Sequence, residues 1–305
     1  MVYDLVIIGA GPAGLTAGIY AARAKMNALI IERSASGGKA LSADKIENYP
    51  GFPEPIAGAE LVERMEAQIK RLGARLKSTD VAEISRDGDK FLLRTTQEVI
   101  EARAVVLATG SGPSPLGVPG EERLRGRGVS YCAICDGFFF RDEKVAVVGG
   151  GDAAVHEALY LTRFVDKAYL LHNRDSFRAT KVLQDQLYAN PKIEVMLNTG
   201  VVEILGEDQV AGLKIEDLRT GEQRVLEVSG VFVYVGVKPA SYLVRDLADL
   251  DPRGYVITDN KMATRTPGLF AAGDVRDKPL RQIVTAVADG AIAAVSADRH
   301  LRGQG

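Results

Sequence analysis

Residues 2–24 read VYDLVIIGAGPAGLTAGIYAARA: an apolar strand, a glycine turn, then a run with helical spacing at Leu15, Ile19 and Ala22. Gly9, Gly11 and Gly14 supply G-x-G-x-x-G at the junction. The first glycine permits a tight turn, the second lets the backbone approach a pyrophosphate, and the third lets the helix pack closely on the strand. The free N–H groups and positive dipole end of that helix then face the phosphates. A second strand, ALIIE (28–32), places Glu32 23 residues after Gly9, where a carboxylate can bind ribose hydroxyls. In that context the stretch predicts a dinucleotide-binding unit of an α/β fold rather than a glycine turn that serves packing alone.

The same device returns at residues 144–164, KVAVVGGGDAAVHEALYLTRF, with Gly149, Gly151 and then Ala154 in the third small position. The parallel extends further. VVLATG (105–110) and VFVYVG (231–236) are apolar strands ending in glycine, each preceded by alternating β segments, the second set with a turn at Thr220-Gly221. Two copies of a whole unit make a repeat of domains, not a solenoid. The prediction is an α/β protein of two Rossmann-like, three-layer ββα dinucleotide-binding domains.

At 305 residues, 46% hydrophobic and 26% charged, the chain has the composition of a soluble globular protein with room for two domains. Lys plus Arg is 38 and Asp plus Glu is 40, a net charge of −2 without a block of like charges, so neither nucleic acid nor an anionic membrane is expected as the main partner. No apolar stretch reaches membrane-spanning length and the start carries no leader pattern, which gives a cytoplasmic expectation.

The second acceptor strand continues as KAYLLHNRDSFRA (167–179). Counting 23 residues from Gly149 lands on His172, followed by Asn173, Arg174 and Arg178, with no carboxylate at the tip. An acid there would select the 2′-hydroxyl of NAD, and arginines accommodate the 2′-phosphate of NADP. A solvated charged loop is the competing reading. Near the end, LFAAGD (269–274) is a short strand that stops at Gly273-Asp274, before a helical pattern from Gln282 to His300 with Ile283, Ala286, Ile292 and Val295 at helical spacing. Asp274 either holds a polyol hydroxyl or caps that helix; the residues alone leave both open.

Residues 130–140, SYCAICDGFFF, contain the only two cysteines, Cys132 and Cys135. A C-x-x-C pair is redox-active, half of a metal site, or two buried thiols. Metal binding needs about four ligands, and the three scattered histidines, His156, His172 and His300, offer no second pair, so no metal is expected. Asp136, next to the pair, is placed to move the proton that thiol–disulfide exchange requires.

In order and spacing, GAGPAG (9–14), the stretch from Gly37 to Gly51, ATG (108–110), GRGVSYCAICDGFFF (126–140), GGGDAA (149–154), HNRDSFRA (172–179) and TPGLFAAGDV with its later Arg281-Gln282 resemble the low-molecular-weight thioredoxin reductases along essentially the whole chain. These are FAD enzymes of the two-dinucleotide-domain class. The resemblance implies a discontinuous FAD domain, residues 1–112 plus 243–305, with an NAD(P)H domain, 115–240, inserted in it and carrying the cysteines. It implies a homodimer, and thioredoxin or a thioredoxin-like disulfide protein as partner.

Carried over residue by residue, the resemblance makes Cys132 and Cys135 the redox pair and Asp136 the acid/base, with Cys135 against the flavin and Cys132 attacking the partner. Gly9, Gly11, Pro12, Ala13, Gly14, Glu32, Arg33, Gly37, Gly38, Lys39, Asn48, Ala108, Thr109, Gly110, Gly273, Asp274, Arg281, Gln282 and Ile283 would line FAD. Gly149, Gly151, Asp152, Ala153, His172, Asn173, Arg174 and Arg178 would line NADPH. Arg127, Phe138 and Phe139 would dock the partner; from the residues alone, one of the three phenylalanines is expected in the core, and the other two are either a docking patch or core residues as well.

Two positions depart from the family pattern. Lys39 replaces the usual glutamine and would place a positive charge near the flavin, favouring its reduced, anionic form. Asn173 replaces one of two arginines, and losing a charge-assisted contact of about 1.5–3 kcal/mol weakens the preference for NADPH over NADH by about tenfold or more. NADH is therefore a possible donor. The competing functions are a related flavin disulfide reductase fed by NADH or ferredoxin or serving a different disulfide partner, and a nucleotide-binding redox sensor that is not an enzyme. Because the cysteines and GGGDAA share one domain, alternate access to the flavin needs a domain rotation, with hinges expected near Gly110–Pro115 and Val237–Ala240.

Overall fold

The computed structural model describes residues 2–43 and 45–304. The chain divides into two compact units, Met1–Gly112 with Lys238–Gly305, and Pro113–Val237.

In the first unit, β1 (Val2–Ile8) lies between β2 (Ala28–Glu32) and β6 (Val99–Leu107), and β3 (Arg75–Ser78) extends the parallel sheet beyond β2. Leu269–Ala271 adds a parallel strand on β6. Leu5 to Ile8 are buried without interruption, as expected of a parallel strand covered on both faces; Leu5 and Ile7 enter one core, Val6 and Ile8 the other. The start of β6 also pairs antiparallel with β5 (Lys90–Thr95), and β5 with β4 (Val81–Asp87), which forms the small additional layer.

The inserted unit repeats this plan. Its parallel strands follow the order Ile193–Met196, Lys167–Leu171, Lys144–Gly149, Gly230–Tyr234, Val129–Ser130. A three-stranded antiparallel layer of Thr199–Leu205, Gly212–Asp217 and Gln223–Leu226 accompanies them, and Gly221 turns the chain at a φ of 75°.

Helix α1 (Pro12–Arg23) packs on the C-terminal helix Ile283–Leu301 through small side chains: Ala13, Ala17 and Ala21 on one, Ala286, Gly290, Ala293 and Ala297 on the other. A Cβ at Gly290 would fall 2.0 Å from the Ala13 carbonyl oxygen. Of the apolar residues at helical spacing in the sequence, Ala286 faces α1, while Ile292 and Val295 stand on the outer face, 40% and 39% exposed. Large side chains on the inner face would hold the helices apart. Gly290→Val should therefore destabilise the protein by about 1–3 kcal/mol or more through overpacking, read as a lower urea midpoint; an unchanged midpoint would show that the helices separate freely.

Candidate active site

In the first unit the glycine turn builds a cleft of about 360 Å³ at the C-terminal ends of β1 and β2. Each glycine does something different. Gly9 has a φ of 104°, and a Cβ there would lie 2.4 Å from the Ala108 carbonyl oxygen; at Gly14 it would lie 1.8 Å from the Gly9 carbonyl oxygen. At Gly11 it would meet nothing within 4 Å, so the backbone is bare toward the cleft. Gly11 is also the N-cap of α1, Pro12 occupies the first turn, and no side chain caps the helix. The arrangement offers unpaired N–H donors over a bare backbone, which suits a diphosphate.

Glu32 is held at the end of β2: its carboxylate accepts the Ala10 N–H at 2.8 Å and the Ser34 N–H at 3.0 Å. Across the cleft, Lys39 Nζ donates to Ser111 Oγ at 2.6 Å and lies 3.6 Å from the Asp274 carboxylate. Burial lowers the pKa of Lys39, with the Asp274 charge opposing it. The cap of the C-terminal helix is Gln282, which exchanges bonds with Thr285, so capping is not the role of Asp274. Gln282 Oε1 also accepts from Asn48 Nδ2 at 3.2 Å. Behind the cleft, buried Asp289 accepts from the Gly273 N–H at 3.1 Å, Lys278 at 2.6 Å and Arg276 at 3.2 Å. The Arg281 guanidinium lies 3.8 Å over the Tyr255 ring.

Of the residues expected at the flavin, Gly9, Gly11, Pro12, Ala13, Glu32, Arg33, Gly38, Lys39, Ala108, Thr109, Gly110, Gly273, Asp274, Arg281, Gln282 and Ile283 line this cleft. Gly14 is buried beneath the turn, Gly37 packs against Val62, and Asn48 reaches the rim through Gln282. Ser111 and the buried Asp289 cluster were not legible in the sequence, because both matter only through partners distant in the chain.

The inserted unit has the same turn with one substitution of parts. A Cβ at Gly149 would lie 2.5 Å from the Tyr234 carbonyl oxygen, and one at Gly151 would meet nothing within 4 Å. Where the first unit has a carboxylate, this one has His172, only 5% exposed, with its ring against Gly150 and stacked on Phe177 at 5.5 Å. His172 is thus a wall of the turn and not an open contact. Arg178 donates its backbone N–H to the Gly150 carbonyl at 2.8 Å, and Asp152 accepts the Thr180 N–H at 2.7 Å, which together fold the loop over the turn. Asn173, Arg174 and Arg178 are exposed, as are Asp152 and Ala153.

Cys132 and Cys135 form a disulfide, with Cα atoms 5.3 Å apart, across the one-turn helix Ala133–Asp136. The Cys135 N–H donates to Cys132 Sγ at 3.2 Å. Ser130 Oγ accepts the Cys132 N–H at 3.0 Å and donates to Asp136 Oδ2 at 2.6 Å, which fixes the carboxylate beside the pair. Cys135 is exposed and Cys132 half-buried. Beside Asp136 runs a groove of about 710 Å³ that also takes in Arg127 and Phe139. Phe138 and Phe139 are 60% and 76% exposed, whereas Phe140 packs edge-on against Phe232 at 5.3 Å, so one of the three belongs to the core. The segment is a 3-10 turn, Gly137–Phe140, and not a strand.

Residues 3–290 match the family described as pyridine nucleotide-disulphide oxidoreductase, and the chain belongs to that family. It is 46% identical over 304 residues to a thioredoxin reductase of Mycolicibacterium smegmatis, covering 99% of this chain and 98% of that protein. It is 45% identical over 302 residues to one of Listeria monocytogenes, covering 98% and 94%. Among solved structures it is similar to the thioredoxin reductase of Lactococcus lactis in the FR conformation, with a TM-score of 0.96, 42% identity and 99% of each chain covered.

Burial is the main cause that holds His172 below its ordinary pKa; the Arg178 and Arg174 charges add to it and a backbone bond at Ser176 opposes it. The folded protein then binds this proton less readily than the unfolded chain. The stability from a neutral His172 is complete above the unfolded value of about 6.5 and is lost as pH falls toward the lower folded value. The urea midpoint of the wild type should drop more steeply than that of His172→Asn between about pH 7 and 5.5; equal slopes would contradict a buried neutral imidazole.

Proposed function

We propose that this protein is an FAD-dependent thioredoxin reductase that passes electrons from NADPH through the Cys132/Cys135 dithiol to a thioredoxin-like protein. The observation that carries the reading is a C-x-x-C disulfide, with Asp136 fixed beside it, set in the same unit as a bare nucleotide-binding turn. The likeness to named thioredoxin reductases over almost the full chain supports it.

On this proposal the first unit holds FAD, with the diphosphate at Gly11 and the start of α1, a ribose at Glu32, and the flavin end toward Lys39, Asp274 and Gln282. When bound, FAD supplies a carrier that accepts a hydride and gives two electrons to a disulfide. The second unit holds the pyridine nucleotide at Gly149–Ala153, with Arg174 and Arg178 at the 2′-phosphate. NADPH is preferred, and Asn173 leaves NADH as a weaker donor. Both the nicotinamide and the cysteines are carried by the inserted unit, so alternate access requires rotation about the two chain crossings near 110–115 and 237–240.

In the exchange half-reaction the Cys132 thiolate attacks one sulfur of the partner disulfide, whose S–S bond breaks as a mixed disulfide forms. The Cys135 thiolate then attacks Cys132, releasing the second partner thiolate and restoring the Cys132–Cys135 bond. Asp136, oriented by Ser130, takes and returns the protons. Exposed Phe138 and Phe139 with Arg127 form the partner's landing surface. The enzyme acts as a homodimer in the cytoplasm.

The test is an anaerobic titration of the yellow protein with NADPH and then NADH, followed by transfer to a thioredoxin. NADPH should bleach the flavin at lower concentration than NADH, and Cys132→Ser should still be bleached yet transfer nothing. Bleaching by neither nucleotide, or unchanged transfer in Cys132→Ser, would overturn the proposal.

A further inference from the structure

Tyr234 ends the strand Gly230–Tyr234 and pairs in register with Gly149. Its carbonyl is the group that denies Gly149 a side chain. Its side chain reaches the redox segment, 101 residues earlier: the phenolic oxygen accepts the Ala133 N–H at 2.8 Å. Ala133 follows Cys132 directly and is fully buried. Its N–H is the first of the short helix and so has no acceptor within the helix, and the capping Cys132 sulfur takes the Cys135 N–H.

A third element meets the same hydroxyl. Burial first, and then the charge of Glu157, hold the Tyr234 hydroxyl well above the ordinary phenol value. Glu157 lies on the helix Asp152–Leu161 that the glycine turn starts. The phenol therefore stays protonated, accepting from the redox segment and directing its proton toward the nucleotide-turn helix.

We propose that Tyr234 is a positioning residue for the redox pair: its hydroxyl anchors the Ala133 N–H, and with it the Cys132 backbone, to the strand end that carries the nucleotide turn. The inference rests on reading Cys132 and Cys135 as the redox centre. Reduction breaks the S–S bond and adds two electrons and two protons, but the anchor remains, so the two thiols stay in register to close again. Without the hydroxyl, the buried N–H has no partner in either form. Only the dithiol, freed of its crosslink, can shift to relieve it, so the dithiol is favoured.

The experiment equilibrates the flavin-loaded protein, wild type and Tyr234→Phe, anaerobically in mixtures of reduced and oxidised dithiothreitol. The reagent loses the two electrons and two protons that the pair gains and closes its own disulfide. Quenching with acid, alkylation and mass spectrometry then count free thiols at Cys132 and Cys135. In the variant, half-reduction should require a reduced-to-oxidised ratio about five- to tenfold lower, the part of a buried donor's penalty that the dithiol escapes. A folded variant with a ratio within about twofold of wild type overturns the assignment, that being less than a buried donor's loss could produce. A wild-type pair that never exchanges with the reagent overturns the redox reading itself and the assignment with it. Amide hydrogen exchange on the wild type decides the matter if the variant does not fold: Ala133 should be protected in both the disulfide and dithiol forms, and exchange at the rate of an exposed amide overturns the anchor.

Discussion

A strand-end carbonyl stands where a side chain would be at the first glycine of each turn, and both units depend on that contact. In the first unit the carbonyl belongs to Ala108, just after β6; in the inserted unit it belongs to Tyr234. Only glycine lets the turn come this close, and the closeness seats the following helix against the sheet with its N–H groups at the strand ends. Everything placed around the turn follows: Glu32 bonded to Ala10 in one unit, the His172 ring laid on Gly150 in the other. Any larger residue at Gly9 or Gly149 would push the helix off its strand and close the bare backbone at Gly11 or Gly151.

The two acceptor strands show one scaffold tuned by the residue at its tip, Glu32 at the end of one strand and His172 just after the other. A carboxylate at Glu32 accepts two backbone N–H groups and carries negative charge to the cleft. A buried imidazole at His172 leaves the exposed guanidinium groups of Arg174 and Arg178 as the cations of the second turn, beside the carboxylate of Asp152. Cations also dominate behind the first cleft, where Lys278 and Arg276 share Asp289. Breaking such a buried pair is costly, so the cluster fixes Gly273, and with it Asp274, on a rigid base.

Most of the fold was legible, because strand, glycine turn and helix are local patterns and occur twice. The paired glycine-ended strands 105–110 and 231–236 were legible for the same reason. What the sequence hid was set by distance along the chain. Ile292 and Val295 stand at helical spacing with Ala286, but alanines and Gly290 form the inner face because α1 approaches too closely for larger side chains. His172 looks like an open ligand contact until its ring is placed under Gly150. Ser130 and Tyr234 lie within motifs that assign them no task; each is given a partner, Asp136 or Ala133, by tertiary structure. The identity of Phe140 as the core member of its triplet likewise required the neighbour Phe232.

Counting free thiols after one anaerobic addition of NADPH tests most directly whether electrons entering from nucleotide leave through this pair. Protein with and without bound flavin would be quenched, alkylated and mapped by mass spectrometry. Labelling at both Cys132 and Cys135 in the flavin-loaded protein, and at neither in the stripped protein, is the predicted result. Flavin that bleaches while both cysteines remain joined, or thiols that appear without flavin, would contradict it.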